Sequence, residues 1–130
     1  MNKNSVKNSL KPFQKNNKTE IKLRKAKIDD SKNIWAWRND SLTRAMSINK
    51  NYVEYEDHSD WFKSKLKNKN CFFYIGEIQQ KKIGVVRIET KNNVGQVSIN
   101  LNPKFRGMSL SANLLNESIN KFKEKFNNYH

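Results

Sequence analysis

Residues 96–126 read QVSINLNPKFRGMSLSANLLNESINKFKEKF, and their pattern decides the fold. The opening stretch alternates strictly. Val97, Ile99 and Leu101 fall on one side of an extended chain, and Gln96, Ser98 and Asn100 fall on the other, which is a two-faced strand. Asn102-Pro103 ends it, because proline has no N–H to give a ladder. Leu110, Leu114, Leu115, Ile119, Phe122 and Phe126 follow at i, i+4, i+5, i+9, i+12 and i+16, the stripe of an amphipathic helix. That helix is expected from about Gly107 to Phe126, roughly 30 Å long. Between strand and helix lies Arg106-Gly107-Met108-Ser109-Leu110-Ser111. Unpaired N–H groups and the positive end of a helix make such a junction suitable for an anion.

Upstream, Ile83-Gly-Val-Val-Arg-Ile88 and Cys71-Phe-Phe-Tyr-Ile75, extended to Ile78, read as strands joined into a hairpin by the polar turn Gln79–Lys82. Lys91–Gly95 is the next turn. A helix is expected over Tyr55–Lys67, with Phe62 and Leu66 at i,i+4. Its early acids (Glu56, Asp57, Asp60) and late lysines suit the helix dipole. Ser41–Met46 reads as a second helical turn or a short helix. Asp29-Asp30-Ser31 starts another, running through Ile34, Trp35 and Trp37 to about Asn39. Ile21–Ile28 alternates apolar and basic residues, a half-buried strand with Ile21 and Leu23 on one face. The order is β-α-(α)-α-β-β-β-α, an α/β chain.

The chain has 130 residues, with 26 Lys and Arg against 12 Asp and Glu, a formal net charge of +14. One domain is expected over residues 20–130, preceded by a basic, disordered tail over residues 1–19. No apolar run is long enough for a membrane span, and no apolar h-region marks a secretory signal. The single Cys71 excludes an internal disulfide, and with only His58 and His130 beside it no metal site is expected. A cytoplasmic, reducing location follows as the default. No GxxxxGK[ST] phosphate loop occurs. The charge suits nucleic acid, an anionic membrane surface or a polyanionic small molecule.

The strand–loop–helix segment Asn100–Ser111 resembles the GNAT N-acetyltransferase superfamily, whose loop pattern is Q/R-x-x-G-x-G/A. Ser109 and Ser111 stand where that pattern prefers glycine or alanine. Trp37-Arg38-Asn39-Asp40, Arg44, His58-Ser-Asp-Trp61-Phe62 and Gly84-Val85-Val86-Arg87 resemble a branch of it. That branch holds ribosomal-protein N-acetyltransferases and, with the nearer spacings, the sugar-nucleotide N-acetyltransferases of pseudaminic acid synthesis. The resemblance covers about residues 20–126. It implies a mixed, mostly antiparallel sheet flanked by helices, lacking the usual C-terminal strands and helix. Acetyl-CoA is the implied co-substrate. Its pantetheine would pair with Asn100, Leu101 and Asn102, and its pyrophosphate would sit on Arg106, Gly107, Met108, Ser109, Leu110 and Ser111. Arg38, Asn39, His58 and Trp61 would meet the acceptor, a primary amine, best an amino sugar on a nucleotide. The alternatives are acetylation of a ribosomal protein or other protein N-terminus, and a basic RNA-binding or inactive GNAT-derived module. Nucleic acid is the lesser partner, and an exposed sheet edge favours a homodimer.

No catalytic residue is assigned. The acids around His58 are expected to favour its protonated form, which suits binding rather than proton abstraction. Glu77 and Glu89 are the carboxylates on the strands, and a carboxylate or a water chain could deprotonate an amine. Trp35, Trp37, Trp61 and Phe62 read as core, with Trp37 or Trp61 also able to wall a pocket. Cys71 reads as buried and inert. Tyr129 lacks the context of the tyrosine that protonates the leaving thiolate in the superfamily, and it takes no role.

Overall fold

A computed structural model describes residues 20–127. The expected tail over residues 1–19, and Tyr129 and His130, lie outside them. The described chain runs β1 (Lys22–Lys25), α1 (Ser31–Asn39), α2 (Ser41–Ala45), α3 (Tyr55–Lys67), β2 (Cys71–Ile78), β3 (Lys81–Lys91), β4 (Val94–Leu101) and α4 (Ser111–Asn127). Single 3₁₀ turns at Ile28–Asp30 and Pro103–Phe105 precede α1 and α4. The strands form one antiparallel sheet in the order β1-β2-β3-β4. This is the expected α/β architecture.

The sheet separates two cores. On one face Phe73, Ile75 and Val85 pack with Ile34, Trp37 and Phe62 of α1 and α3. On the other, Tyr74, Ile78, Ile83, Val86 and Ile88 pack with Phe105, Leu110 and Leu114. β2 and β3 are therefore covered on both faces, which is why Cys71–Ile78 and Ile83–Ile88 read as runs rather than alternations. Both hairpin turns are tighter than expected. Gln79-Gln80 and Asn92-Asn93 are two-residue turns with φ of 52°, 68°, 54° and 67°. Left-handed pairs of that kind match the strand twist, so β3 and β4 extend to the turns.

Two expectations change in detail. β4 is two-faced, but only its last three residues are half-buried, and Val97 stays 43% exposed. α4 starts at Ser111, not Gly107, because Gly107 and Ser109 have left-handed backbones (φ 78° and 57°) that no helix accommodates. Its stripe includes Ser118, fully buried, where the sequence pattern chose Ile119. Asp30, expected as an N-cap, makes no cap bond. It is buried instead under Arg24 and Lys82, each 2.8 Å away, and accepts from the Lys27 N–H, tying β1, β3 and α1 together. Burial raises its pKa, but those hydrogen bonds outweigh it and hold the carboxyl well below the usual range.

Candidate active site

Two glycines set the position of α4. Gly76 and Gly84 face each other across β2 and β3, and a Cβ on Gly76 would come within 2.5 Å of Leu114 Cδ1. A Cβ on Gly84 would lie 2.9 Å from the Asn100 carbonyl oxygen. The missing side chains let Leu114 sink onto the sheet beside the end of β4, which brings the junction loop there as well. The first bond of the new helix is Leu114 N–H to the Leu110 carbonyl, so the N–H groups of its first turn, Ser111, Ala112 and Asn113, have no partner within the helix. A Cβ at Gly107 would meet no atom within 4 Å, so the loop has open space beside it.

The outer edge of β4 adds a second set of free groups. Asn102 N–H donates to the Ile83 carbonyl, and the register continues through the pairs Asn100–Val85 and Ser98–Arg87. Alternation in an antiparallel ladder then turns the main-chain groups of Val97, Ile99 and Leu101 outward. Of the expected edge residues, Leu101 thus has its main chain free. Asn102 is engaged with β3, its side chain also donating to the Lys82 carbonyl. Arg106 does not extend beyond the loop. Its guanidinium pairs with Asp40 and donates to Thr43 Oγ1 at 3.0 Å. Asp40 also caps α2 through the Leu42 and Thr43 N–H groups, so Arg106 ties the loop to α2.

On the other face of β4 a cavity of about 600 Å³ opens between α1, α3 and the strands β3 and β4. Arg38, His58 and Trp61 line it, with Arg87, Ser98 and Asn100. Arg38 has no ion-pair partner among the described residues. Arg87 lies with its Cζ 5.2 Å from the centre of the Trp61 ring. Asn39 is absent from this lining. Its amide donates to the Val53 carbonyl at 2.8 Å and accepts from the Val53 N–H at 2.9 Å. Trp35 Nε1 donates to the same carbonyl. Asn39 therefore pins the segment 47–53, whose Ser47, Ile48 and Asn49 form the far wall.

His58 is 2% exposed, and its ring is stacked on Phe62 at 5.7 Å. Burial lowers its pKa most, Arg38 lowers it further, and a hydrogen bond with the Ser31 backbone acts in the opposite direction. These influences favour the neutral ring, which corrects the expectation that Glu56, Asp57 and Asp60 would favour the protonated form. Burial overrides those acids, of which Glu56, Asp57 and Asp60 are all exposed to water. Glu77 and Glu89 are both committed: Glu77 to Arg24, and Glu89 to Lys65 and Arg87. The Lys65 hydrogen bond is the largest cause of the lowered Glu89 pKa. Cys71 is buried, its thiol pushed up to about 11 by burial. Sequence reasoning missed Arg87, Ser98 and Asn49. The period-two pattern of β4 put Ser98 and Asn100 on one face, and that was the available signal.

Solved structures share this architecture. An N-acetyltransferase from Staphylococcus aureus matches with a TM-score of 0.66 at 20% identity, over 82% of this chain and 68% of that one. The spermidine N-acetyltransferase of Vibrio cholerae, solved with CoA and spermine, matches at 0.69 and 17%, over 77% of this chain and 62% of that one. The fold is that of the GNAT-type N-acetyltransferases. A ribosomal-protein-alanine N-acetyltransferase from Brucella melitensis matches at 0.65 and 19%, over 80% and 68%. The chain spans about two thirds of the length of these proteins. No protein-family model and no curated protein sequence matches it. Among the described residues no helix is long and apolar enough to cross a membrane.

Proposed function

We propose that this chain binds acetyl-CoA and transfers the acetyl group to a primary amine. The observation that carries the reading is the position of β4 between two features. Its outer edge and the first-turn N–H groups of α4 suit pantetheine and pyrophosphate. Its other face opens, through Ser98 and Asn100, onto a cavity for the acceptor. A free main-chain N–H at the end of β4 is the kind of donor that stabilises charge on a thioester oxygen during attack by an amine. Met108, Ser109 and Ser111 contribute backbone to the phosphate site in this reading, so serine in place of glycine is compatible with it.

The acceptor we favour is an amino sugar carried on a nucleotide. Arg38 and Arg87 give the cavity positive charge, Asp57 is its one carboxylate among the described residues, and Trp61 offers an aromatic wall. Those groups suit an amine that also bears phosphate. A polyamine, which the Vibrio cholerae relative was solved with, would meet two arginines there.

The test is thermal melting with and without acetyl-CoA at low and high salt. Ligand at about 100 times its dissociation constant should add ~2.7 kcal/mol. CoA release is then followed with a uridine-diphosphate amino sugar, an N-terminal alanyl peptide and spermidine as acceptors. A salt-resistant shift with turnover of the sugar nucleotide is expected. A cooperative melt unmoved by acetyl-CoA refutes the acetyltransferase reading. Turnover confined to the peptide or to spermidine refutes the choice of acceptor.

A further inference from the structure

We infer that His58 is the proton acceptor of the reaction, its Nε2 taking a proton from the ammonium group of an acceptor seated in the cavity. The inference rests on the acetyltransfer reading above. It starts from a polar atom that the fold leaves without a partner. His58 is 2% exposed and lines the cavity, and Nε2 makes no hydrogen bond among the described residues. Buried polar atoms are almost always paired, so an unpartnered atom in a side chain that lines a cavity points to a bond that a ligand entering the cavity completes. The hydrogen bond between the ring and the Ser31 backbone fixes what that ligand must offer. A neutral imidazole that donates from Nδ1 to a carbonyl presents a lone pair at Nε2. The missing partner is therefore an N–H or O–H donor, and an acceptor amine is one.

The surrounding charges agree. Arg38 of α1 and Arg87 of β3 line the same cavity, β4 contributes the uncharged Ser98, Ile99 and Asn100, and the 47–53 segment contributes Ser47 and Asn49. Asp57, one residue before His58, is the carboxylate that would draw an ammonium inward. Glu77 and Glu89 are held in ion pairs elsewhere. Burial first and Arg38 second favour the neutral imidazole before the amine arrives, which a proton acceptor needs.

The step balances as follows. The acceptor enters as R–NH₃⁺, and one proton passes to Nε2, giving an imidazolium. The freed nitrogen lone pair attacks the thioester carbonyl carbon of acetyl-CoA. The C–N bond forms and the C–S bond breaks. The second nitrogen proton goes with the thiolate to give CoA–SH, and His58 returns its proton to water.

Nitrogen-15 NMR of the full wild-type chain at pH 7.5 is the first test. A resonance pattern for His58 with Nδ1 protonated and Nε2 bare is expected, and the opposite tautomer overturns the inference. Kinetics with the acceptor found above form the second test. His58→Gln should lower kcat by about 100-fold or more and remove the acidic limb of its pH profile. Acetyl-CoA affinity should stay within about two-fold, since the cofactor lies across β4. An unchanged kcat and profile overturn the inference. His58→Asn, checked for a cooperative melt, serves as a second variant beside it. Failure of the acetyltransferase reading would show separately, as a wild-type chain that acetyl-CoA does not stabilise.

Discussion

Ser109 holds a left-handed backbone at φ 57°, one residue before the buried Leu110. A side chain there clashes with its own carbonyl, and glycine does not, a difference of roughly 1 kcal/mol. Ser109→Gly should therefore raise the stability of the fold by about 1 kcal/mol, read as a higher urea midpoint with an unchanged slope. No gain would mean that the loop holds another conformation in solution. This position was legible in advance, because the superfamily pattern has its glycine there. Asn39 and Arg106 were legible only as residue types. An amide and a guanidinium can each satisfy a protein group or a ligand group, and nothing local in sequence says which. Here Val53, fourteen residues on, takes the Asn39 amide, and Asp40, far back in the chain, takes Arg106. His58 shows the same limit for charge. Its sequence neighbours are acids, but its spatial neighbours are Phe62, Trp61 and Tyr55.

At the scale of elements, the docking of α4 depends on a hole in the sheet. Gly76 and Gly84 leave room for Leu114, which is fully buried between them. Gly76→Ala would put a methyl 2.5 Å from Leu114 Cδ1, with Ile21 and Ile83 closing the other sides. Such overpacking costs typically 1–3 kcal/mol, and here about 2 kcal/mol is expected in a denaturant melt. Because α4 carries the loop, the acetyl-CoA affinity proposed above should fall in the same variant. A stable variant with intact affinity would show that the helix has slack on the sheet. The elements themselves were readable from periodicity, as α3 and the β2–β3 hairpin show. The glycine seat was not readable, since its two halves lie eight residues apart and become one feature only through the register. The exposure of Val94 and Val97 also escaped the pattern. Alternation tells which side chains share a face, and not how far along the strand that face is covered.

For the whole molecule, pH separates two of the buried ionisable groups, Asp30 and His58. Asp30 is more acidic in the fold than in an unfolded chain, so its contribution is present above about pH 4 and is lost as pH falls further. His58 acts in a higher window. Its folded pKa lies below the ordinary value of 6.5, so between the two values the unfolded chain binds the extra proton. Stability from His58 is complete above pH 6.5 and declines as pH falls toward the folded pKa. One such proton gives a slope of at most about 1.4 kcal/mol per pH unit. The net charge of +14 adds self-repulsion that also grows at low pH. Comparing wild type with His58→Gln removes it, because it is common to the two chains. Urea unfolding at pH 7.5, 6.5, 5.5 and 4.5 should therefore show a difference between them that is constant above pH 6.5. It should shift in favour of the variant as the pH drops. Carboxylate loss below pH 4 should appear equally in both. A difference that stays constant down to pH 4.5 would mean that the imidazole reaches solvent in the native state. It would then titrate normally and could not be the buried, neutral group on the cavity wall.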